Sequence, residues 1–174
     1  RGVTVRVVAD NEHTIEDEGT TMHLLVDAGI PIVYDKRTAF MHNKFMILDS
    51  TYVITGSTNW TVNDVYRNNN NLLVMRTRRA VDAYQNVFNK MFDEGQFGPR
   101  RVGPNAVAFS VDGIPVEIHF SPEDGVVNAI QEQLALAQST IRFMAFSFTE
   151  DRLGLTLIDR ASSGSMHSTW LRSM

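Results

Sequence analysis

The sequence of 174 residues contains no cysteine. This excludes a disulfide framework, a thiolate nucleophile and a thiolate metal site, and it leaves the redox state of the compartment open. Any catalysis must therefore use other groups. No run of about 18 apolar residues occurs, and no charged segment precedes an apolar one at the start, so nothing here predicts a membrane span or an export signal. The cellular location stays unknown.

The sequence also lacks an excess of positive charge. It has 16 Lys and Arg against 20 Asp and Glu, a net charge of -4. Nucleic-acid binding is largely neutralisation of phosphates by basic side chains, so this balance argues against a broad basic surface but leaves room for a local basic site. With 43% hydrophobic and 21% charged residues, the composition is typical of a globular protein.

Short strand-like runs rich in β-branched residues alternate with helical patterns along the chain. We predict strands over residues 2–10, 31–34, 44–48, 52–55, 72–75, 116–120 and 141–148. Helical spacing of apolar residues favours helices over 22–26, 77–94, 121–137 and 149–158. The acidic stretch 12–18 is interpreted as a solvated loop. These elements predict an α/β protein with a mixed β-sheet flanked by helices.

Glycine and proline divide the chain into parts. We predict a first unit over residues 1–97, a linker over 98–110, a second unit over 111–164 and an irregular tail over 165–174. The second unit ends with a pattern that the segment at the start of the chain would continue, so we infer that the chain combines incomplete parts of two repeats. The alternative is one ordinary domain with a frayed tail, and a truncated or frame-shifted reading would explain the tail.

The most informative residues form one spaced pattern, HxKxxxxD followed after six residues by GSxN. Its members are His42, Lys44, Asp49, Gly56, Ser57 and Asn59. This pattern resembles the HKD signature of the phospholipase D superfamily, at the spacing of that family. The flanking strand patterns resemble the family over most of residues 1–160. The resemblance implies that 1–97 is the C-terminal two-thirds of a phospholipase D-like repeat and that 111–164 begins a second one.

On a strand, successive side chains alternate between faces, so His42 and Lys44 should share one face and could bind one anionic ligand. Ser57 and Asn59 would add a hydroxyl and an amide, and Gly56 would permit close backbone approach. We therefore predict a phosphate cradle with no metal and no cofactor. Neutral imidazole is a competent nucleophile near neutral pH.

By the resemblance, His42 attacks phosphorus to form a phosphohistidine, and a histidine from a second motif protonates the leaving alcohol. One histidine cannot readily act on both sides of an in-line displacement. The missing half would come from a second HKD repeat in the same polypeptide or from a homodimer partner.

Two further residues receive supporting roles. Asp49 has the wrong parity to face the ligand and lies about 16 Å from Lys44 on an extended strand, so we assign it a turn role. Many members of the family carry an acidic residue within the run corresponding to residues 68–71. Here the candidate to hold the catalytic imidazole is Asn70, an amide that would stabilise imidazolium less than a carboxylate does.

Three functions remain in competition. The first is a metal-independent phosphodiesterase acting on nucleic acid, slightly favoured because no membrane-binding segment is visible. The second is hydrolysis or transfer of phospholipid headgroups, as by phospholipase D, cardiolipin hydrolases or cardiolipin synthases. The third is a catalytically inactive binding or dimerisation module.

Overall fold

A computed structural model of the protein describes residues 2–15, 20–98 and 106–163. Short strands alternate with helices along the chain. The strands are β1 (Val7–Ala9), β2 (Ile32–Tyr34), β3 (Phe45–Leu48), β4 (Tyr52–Gly56), β5 (Leu72–Met75), β6 (Val107–Val111) and β7 (Ile114–Ile118). The helices are α1 (Glu12–Ile15), α2 (Met22–Asp27), α3 (Val62–Tyr66), α4 (Arg78–Phe92), α5 (Val126–Leu136) and α6 (Asp151–Ser163). The α/β class is confirmed.

The strands run in both directions, as predicted, but they form three small sheets rather than one. β1 and β2 are parallel, and β3, β4 and β5 form an antiparallel sheet in that order. β6 and β7 form an antiparallel hairpin. In the three-stranded sheet, the start of β3, the end of β4 and the start of β5 meet at one edge, because neighbouring strands alternate in direction.

The hydrophobic core is organised by α4. Apolar residues recur along this helix at spacings of three and four, so they lie on one face. That face is buried and packs with Val53 of β4. The ring of Tyr84 makes edge-to-face contacts with Phe45, at 4.9 Å between centroids, and with Phe120, at 5.0 Å. The helix therefore ties the three-stranded sheet to the end of the hairpin.

Replacing Val87 by alanine is expected to lower the free energy of unfolding by about 2 kcal/mol, since two buried methyl groups are lost and a cavity remains. Val87 is 0% exposed in the centre of α4. Urea unfolding followed by circular dichroism measures the effect. Val3→Ala is the matched control, because Val3 is 78% exposed and its truncation should change stability little.

The predicted boundary between the two units needs correction. The segment 98–110 was predicted as a linker, but β6 begins within it at Val107. The hairpin residue Ile118 and the following Phe120 belong to the core around α4. The compact units accordingly divide between Asp124 and Gly125. Ile118 and Phe120 both lie in the predicted strand 116–120, which overlaps β7, whereas its partner β6 was not predicted in the Gly- and Pro-rich segment. The assignment of the units to repeats stays a prediction.

Other local differences have simple causes. The acidic stretch begins with a short helix, α1, where a loop was predicted. Residues 121–124 form turns, and α5 begins only after Gly125, which has a φ of 62°. The run 141–148 was predicted as a strand but has no strand partner among the described residues. A strand needs a neighbour for its backbone hydrogen bonds, and apolar composition alone supplies none.

The tail 165–174 lies outside the described residues, as do 16–19 and most of the predicted linker. Within 2–15, 20–98 and 106–163, no helix has the length and hydropathy needed to cross a bilayer.

Candidate active site at one edge of the sheet

His42 and Lys44 lie in the extended segment that leads into β3. The regular strand begins only at Phe45, so the predicted alternation applies strictly from that residue onward, where Phe45 and Ile47 face the core. Lys44 Nζ donates to the carbonyl of His42 at 2.8 Å, and Thr55 Oγ1 of β4 donates to the carbonyl of Lys44 at 2.9 Å. The first bond lies within the segment, and the second joins the segment to β4.

Partial burial, helped by the charge of Lys44, favours the neutral form of His42. Partial burial of the imidazole lowers its pKa from the ordinary value, and the Lys44 ammonium lowers it further, while the Asp10 carboxylate opposes this shift. Burial also lowers the pKa of Lys44, and the carboxylates of Asp64 and Asp10 oppose that change. The histidine is therefore biased toward the unprotonated ring that a nucleophile requires.

The Gly-Ser-x-Asn segment follows β4 at the same edge. Gly56 has a φ of 151°, and a Cβ atom there would lie 2.2 Å from the carbonyl oxygen of Asn71. Gly56 thus permits a close backbone approach to Asn71, while the close approach to a bound ligand stays a prediction. The approach to Asn71 allows the backbone N–H of Ser57 to donate to Asn71 O at 3.2 Å, which joins the segment to the residues before β5.

Ser57 is occupied differently from the prediction. Its hydroxyl donates to Asn70 Oδ1 at 2.7 Å and accepts from the backbone N–H of Asn71 at 3.0 Å. A hydroxyl has a single proton, so Ser57 donates to Asn70 rather than presenting that proton to a ligand. Its observed role is to link the end of β4 to the start of β5.

Asn70 also differs from its expected role. Its carbonyl oxygen binds Ser57, and its Nδ2 donates to the backbone carbonyl of Asp64 at 3.1 Å. Among the described residues, no hydrogen bond joins Asn70 to His42. Both ends of the amide are engaged elsewhere, so the expectation that Asn70 holds the imidazole is corrected.

Asp49 lies in the turn between β3 and β4, at the opposite end of β3 from Lys44. Asp49 and Ser50 both have positive φ, at 49° and 48°, and the backbone N–H of Thr51 donates to Leu48 O at 2.8 Å. Two consecutive residues with positive φ form the type of turn that matches the twist of a hairpin. This placement agrees with the turn role predicted for Asp49.

Two acidic residues missed by the sequence analysis lie beside the site. Asp10 and Asp35 directly follow β1 and β2, and both are buried, at 8% and 0% exposure. Asp10 Oδ2 accepts from the backbone N–H of Met41 at 2.9 Å, and Oδ1 accepts from those of Glu12 and His13. Asp10 thereby anchors the residue that precedes His42.

Asp35 accepts a hydrogen bond from the backbone N–H of Asn11 at 3.1 Å. Burial raises the pKa of its carboxyl group, and the nearby charge of Asp10 adds to this effect. The signal for both acids was present in the sequence, since each ends an apolar strand-like run. The carboxyl ends of parallel strands meet at one edge of a sheet.

Replacing Asp10 by asparagine is expected to lower the pKa of His42, because the carboxylate charge that favours imidazolium is removed while the lowering effects of burial and Lys44 remain. Titration of the His42 ring proton by NMR between about pH 4 and 8 measures this change. Asp82→Asn, on the exposed side of α4, serves as the control. A His42 pKa that stays constant or rises in Asp10→Asn would contradict the assignment.

Asp64 is a third acid that the sequence analysis missed. It lies in α3, a helix that no sequence pattern predicted, and Thr61 caps this helix by accepting from the backbone N–H of Asp64 at 3.1 Å. Asp64 Oδ2 accepts from the backbone N–H of Asn59 at 2.8 Å. In the part of the chain that the structure describes, no group of three or more His, Cys, Asp or Glu side chains could hold a metal ion.

Comparison with known proteins identifies the family. Residues 1–92, more than half of the chain, match the family model described as cardiolipin synthase, PLD-like domain. The chain therefore belongs to the phospholipase D superfamily, as the spacing of His42, Lys44 and the Gly-Ser-x-Asn segment indicated.

The relatives are longer than the matched region. The mitochondrial cardiolipin hydrolase of Xenopus tropicalis is 39% identical over 94 residues, which are 54% of this chain and 44% of that protein. The corresponding protein of Chlamydomonas reinhardtii is 36% identical over 93 residues, 53% of this chain and 41% of that protein. A phospholipase D of Rickettsia felis is 35% identical over 91 residues, 52% of this chain and 45% of that protein. The chain spans less than half the length of these relatives.

Among solved structures, the crystal structure of Nuc, a phospholipase D family member from Salmonella typhimurium, matches with a TM-score of 0.49 at 23% identity. The match covers 53% of this chain and 62% of that chain.

Proposed function

We propose that the chain is one half of a phosphodiesterase site that acts through a phosphohistidine on His42. The observation that supports this most is the meeting of His42 and Lys44 with the Gly-Ser-x-Asn segment at one edge of the sheet, with the imidazole biased toward its neutral form. A neutral imidazole beside a fixed ammonium suits attack on an anionic phosphodiester.

In the first step, the unprotonated nitrogen of His42 attacks phosphorus. An N–P bond forms as the bond between phosphorus and the leaving alcohol breaks, and that alcohol oxygen takes a proton from an acid on the opposite side. Water then gives a proton to the group that protonated the alcohol and attacks phosphorus, and the N–P bond breaks, which releases a phosphomonoester and restores the imidazole. The roles proposed for Lys44 and Asn59 are to neutralise and hydrogen-bond the equatorial oxygens in both steps.

The opposite acid does not belong to this motif. We propose that a second HKD motif supplies it, either from another repeat in the same polypeptide or from a second copy of this chain. Sedimentation analysis of the chain, combined with turnover measured against protein concentration, separates these arrangements. Turnover that rises with the dimer fraction supports pairing in trans.

The substrate class follows less directly from the site. The names of the relatives, cardiolipin hydrolase and phospholipase D, support a phospholipid diester. The net charge of -4 weakens the preference for nucleic acid that the absence of a membrane-binding segment gave. Cardiolipin vesicles and single-stranded RNA and DNA, offered under identical conditions, decide between the two classes.

The choice of leaving group provides a test of the nucleophile alone. Nitrophenolate is stable as an anion and needs little protonation, so bis(4-nitrophenyl) phosphate should phosphorylate His42 even where the opposite acid is absent. We expect a burst of nitrophenolate, stoichiometric with protein, in the presence of EDTA, together with an acid-labile phosphoryl label on His42. Absence of both burst and label would overturn the proposal. If phosphate or vanadate still binds, a binding module is the remaining function.

A further inference from the structure

The carboxylate of Asp64 lies at the centre of a hydrogen-bond network beside the proposed phosphate site. Oδ2 accepts from the backbone N–H of Asn59 at 2.8 Å and also from the Asn59 side-chain amide. Oδ1 accepts from Asn68 Nδ2 at 2.7 Å. The backbone carbonyl of Asp64 accepts from Asn70 Nδ2 at 3.1 Å. One residue thus connects the Gly-Ser-x-Asn segment to the asparagine run before β5.

The Asp64 carboxylate stays ionised, because the groups that donate hydrogen bonds to it favour its charged form. The backbone N–H of Asn59 is the main cause that lowers the pKa of Asp64, and the side chains of Asn68 and Asn59 lower it further. The charge also acts on Lys44, whose pKa it raises. Asp64 is therefore coupled by hydrogen bonds to Asn59 and by charge to Lys44.

The amide of Asn59 has two N–H groups on Nδ2. One is directed to Asp64, which fixes the rotation of the side chain and leaves the second available to a phosphoryl oxygen. A freely rotating amide would lose this orientation, and small misplacements of a group that contacts the transition state reduce rates strongly.

We propose that Asp64 is a positioning residue of this site: it orients the Asn59 amide toward the phosphoryl group. This assignment rests on the proposed phosphodiesterase function. Asp64 acts through Asn59 and does not itself contact the substrate. No sequence motif revealed Asp64, because only the turn of α3 brings its carboxylate to Asn59.

The test uses the burst of nitrophenolate from bis(4-nitrophenyl) phosphate. Asp64→Asn removes the charge and thereby weakens the hydrogen bonds from Asn59, because bonds to an ionised acceptor are stronger than bonds to a neutral one. We expect its burst rate constant to fall by roughly tenfold or more. In a plot of this rate constant against pH, the alkaline limb should move to lower pH. The reason is that Lys44 loses a nearby negative charge that raises its pKa. Asp82→Asn is the control, since Asp82 pairs with Arg78 on α4, and its rate should match that of the unmodified chain.

A double-mutant cycle distinguishes positioning from a general structural effect. If Asp64 acts through Asn59, the Asp64→Asn change should slow the Asn59→Ala variant far less than it slows the unmodified chain. An equal slowing in both backgrounds would overturn the assignment, as would an unmodified chain and an Asp64→Asn variant with the same burst rate and pH profile. If the unmodified chain shows neither burst nor His42 label, the proposed function fails and this assignment fails with it.

Discussion

Replacing His42 by alanine should abolish the nitrophenolate burst and the acid-labile label together. In the proposed mechanism this imidazole forms the bond to phosphorus, and neither Lys44 nor Asn59 can take over as a nucleophile of similar reactivity. We expect the burst rate constant to fall by at least about a thousandfold. Stopped-flow absorbance measures the burst, and mass spectrometry of the protein measures the label.

Two further variants show whether the effect is chemical. His42→Gly supplied with free imidazole should regain nitrophenolate release without regaining the protein label, because the N–P bond then forms on a diffusible molecule. His23→Ala is the matched control, since His23 is an exposed residue of α2, and it should leave both signals intact. A phosphoryl label that persists in His42→Ala would place the nucleophile elsewhere.

Replacing Gly56 by alanine should both destabilise the protein and disable the site. The added Cβ would lie 2.2 Å from the carbonyl oxygen of Asn71, and the φ of 151° is unfavourable for any residue with a side chain. The backbone of β4 or of the segment before β5 must move, which breaks the bond from Ser57 N to Asn71 O. We expect a loss of roughly 3 kcal/mol in the free energy of unfolding and a much reduced burst.

Gly154→Ala provides the comparison for this prediction. Gly154 lies in α6, where a Cβ would meet Phe148 at an ordinary contact distance of 3.9 Å. A helix is more stable with alanine than with glycine at an interior position by about 1 kcal/mol. This variant should therefore be as stable as the unmodified chain or slightly more stable. Urea unfolding measures both variants. A Gly56→Ala protein as stable and as active as the unmodified chain would contradict the prediction. It would show that β4 and the segment before β5 can move apart without loss of stability or activity.

Much of the site could be predicted because its chemistry is local in sequence. His42 and Lys44 are two residues apart, and Gly56, Ser57 and Asn59 follow one strand later. An antiparallel strand pair necessarily brings the start of one strand to the end of the next. The spacing therefore implied both the family and the edge at which these residues meet.

The relations among the supporting residues could not be predicted in this way. Asn70 binds Ser57 and the Asp64 carbonyl, and Asp10 rather than Asn70 supplies the carboxylate charge that reaches His42. Each relation depends on which strand ends lie side by side and on how far a turn carries a short side chain. Asp64 carried no periodic signal, because α3 has only five residues.

The fold likewise has parts that the sequence predicted and parts that it did not. Apolar periodicity was sufficient for α4, where one face recurs over four turns and packs with Val53. It was misleading for residues 141–148, because an apolar run becomes a strand only when another strand satisfies its backbone. It predicted a strand over 116–120, which overlaps β7, but missed β6, whose residues Val107 and Phe109 pack against the core around α4.

The order of residues along the chain was thus enough to predict the α/β class and to recognise the phospholipase D superfamily from its spaced motif, because both depend on residue type and short spacing. The tertiary structure decided where the first compact unit ends, which acids surround His42 and Lys44, and which groups Ser57 and Asn70 bind. Those outcomes depend on contacts between segments distant in sequence, whose geometry is set by strand pairing and core packing.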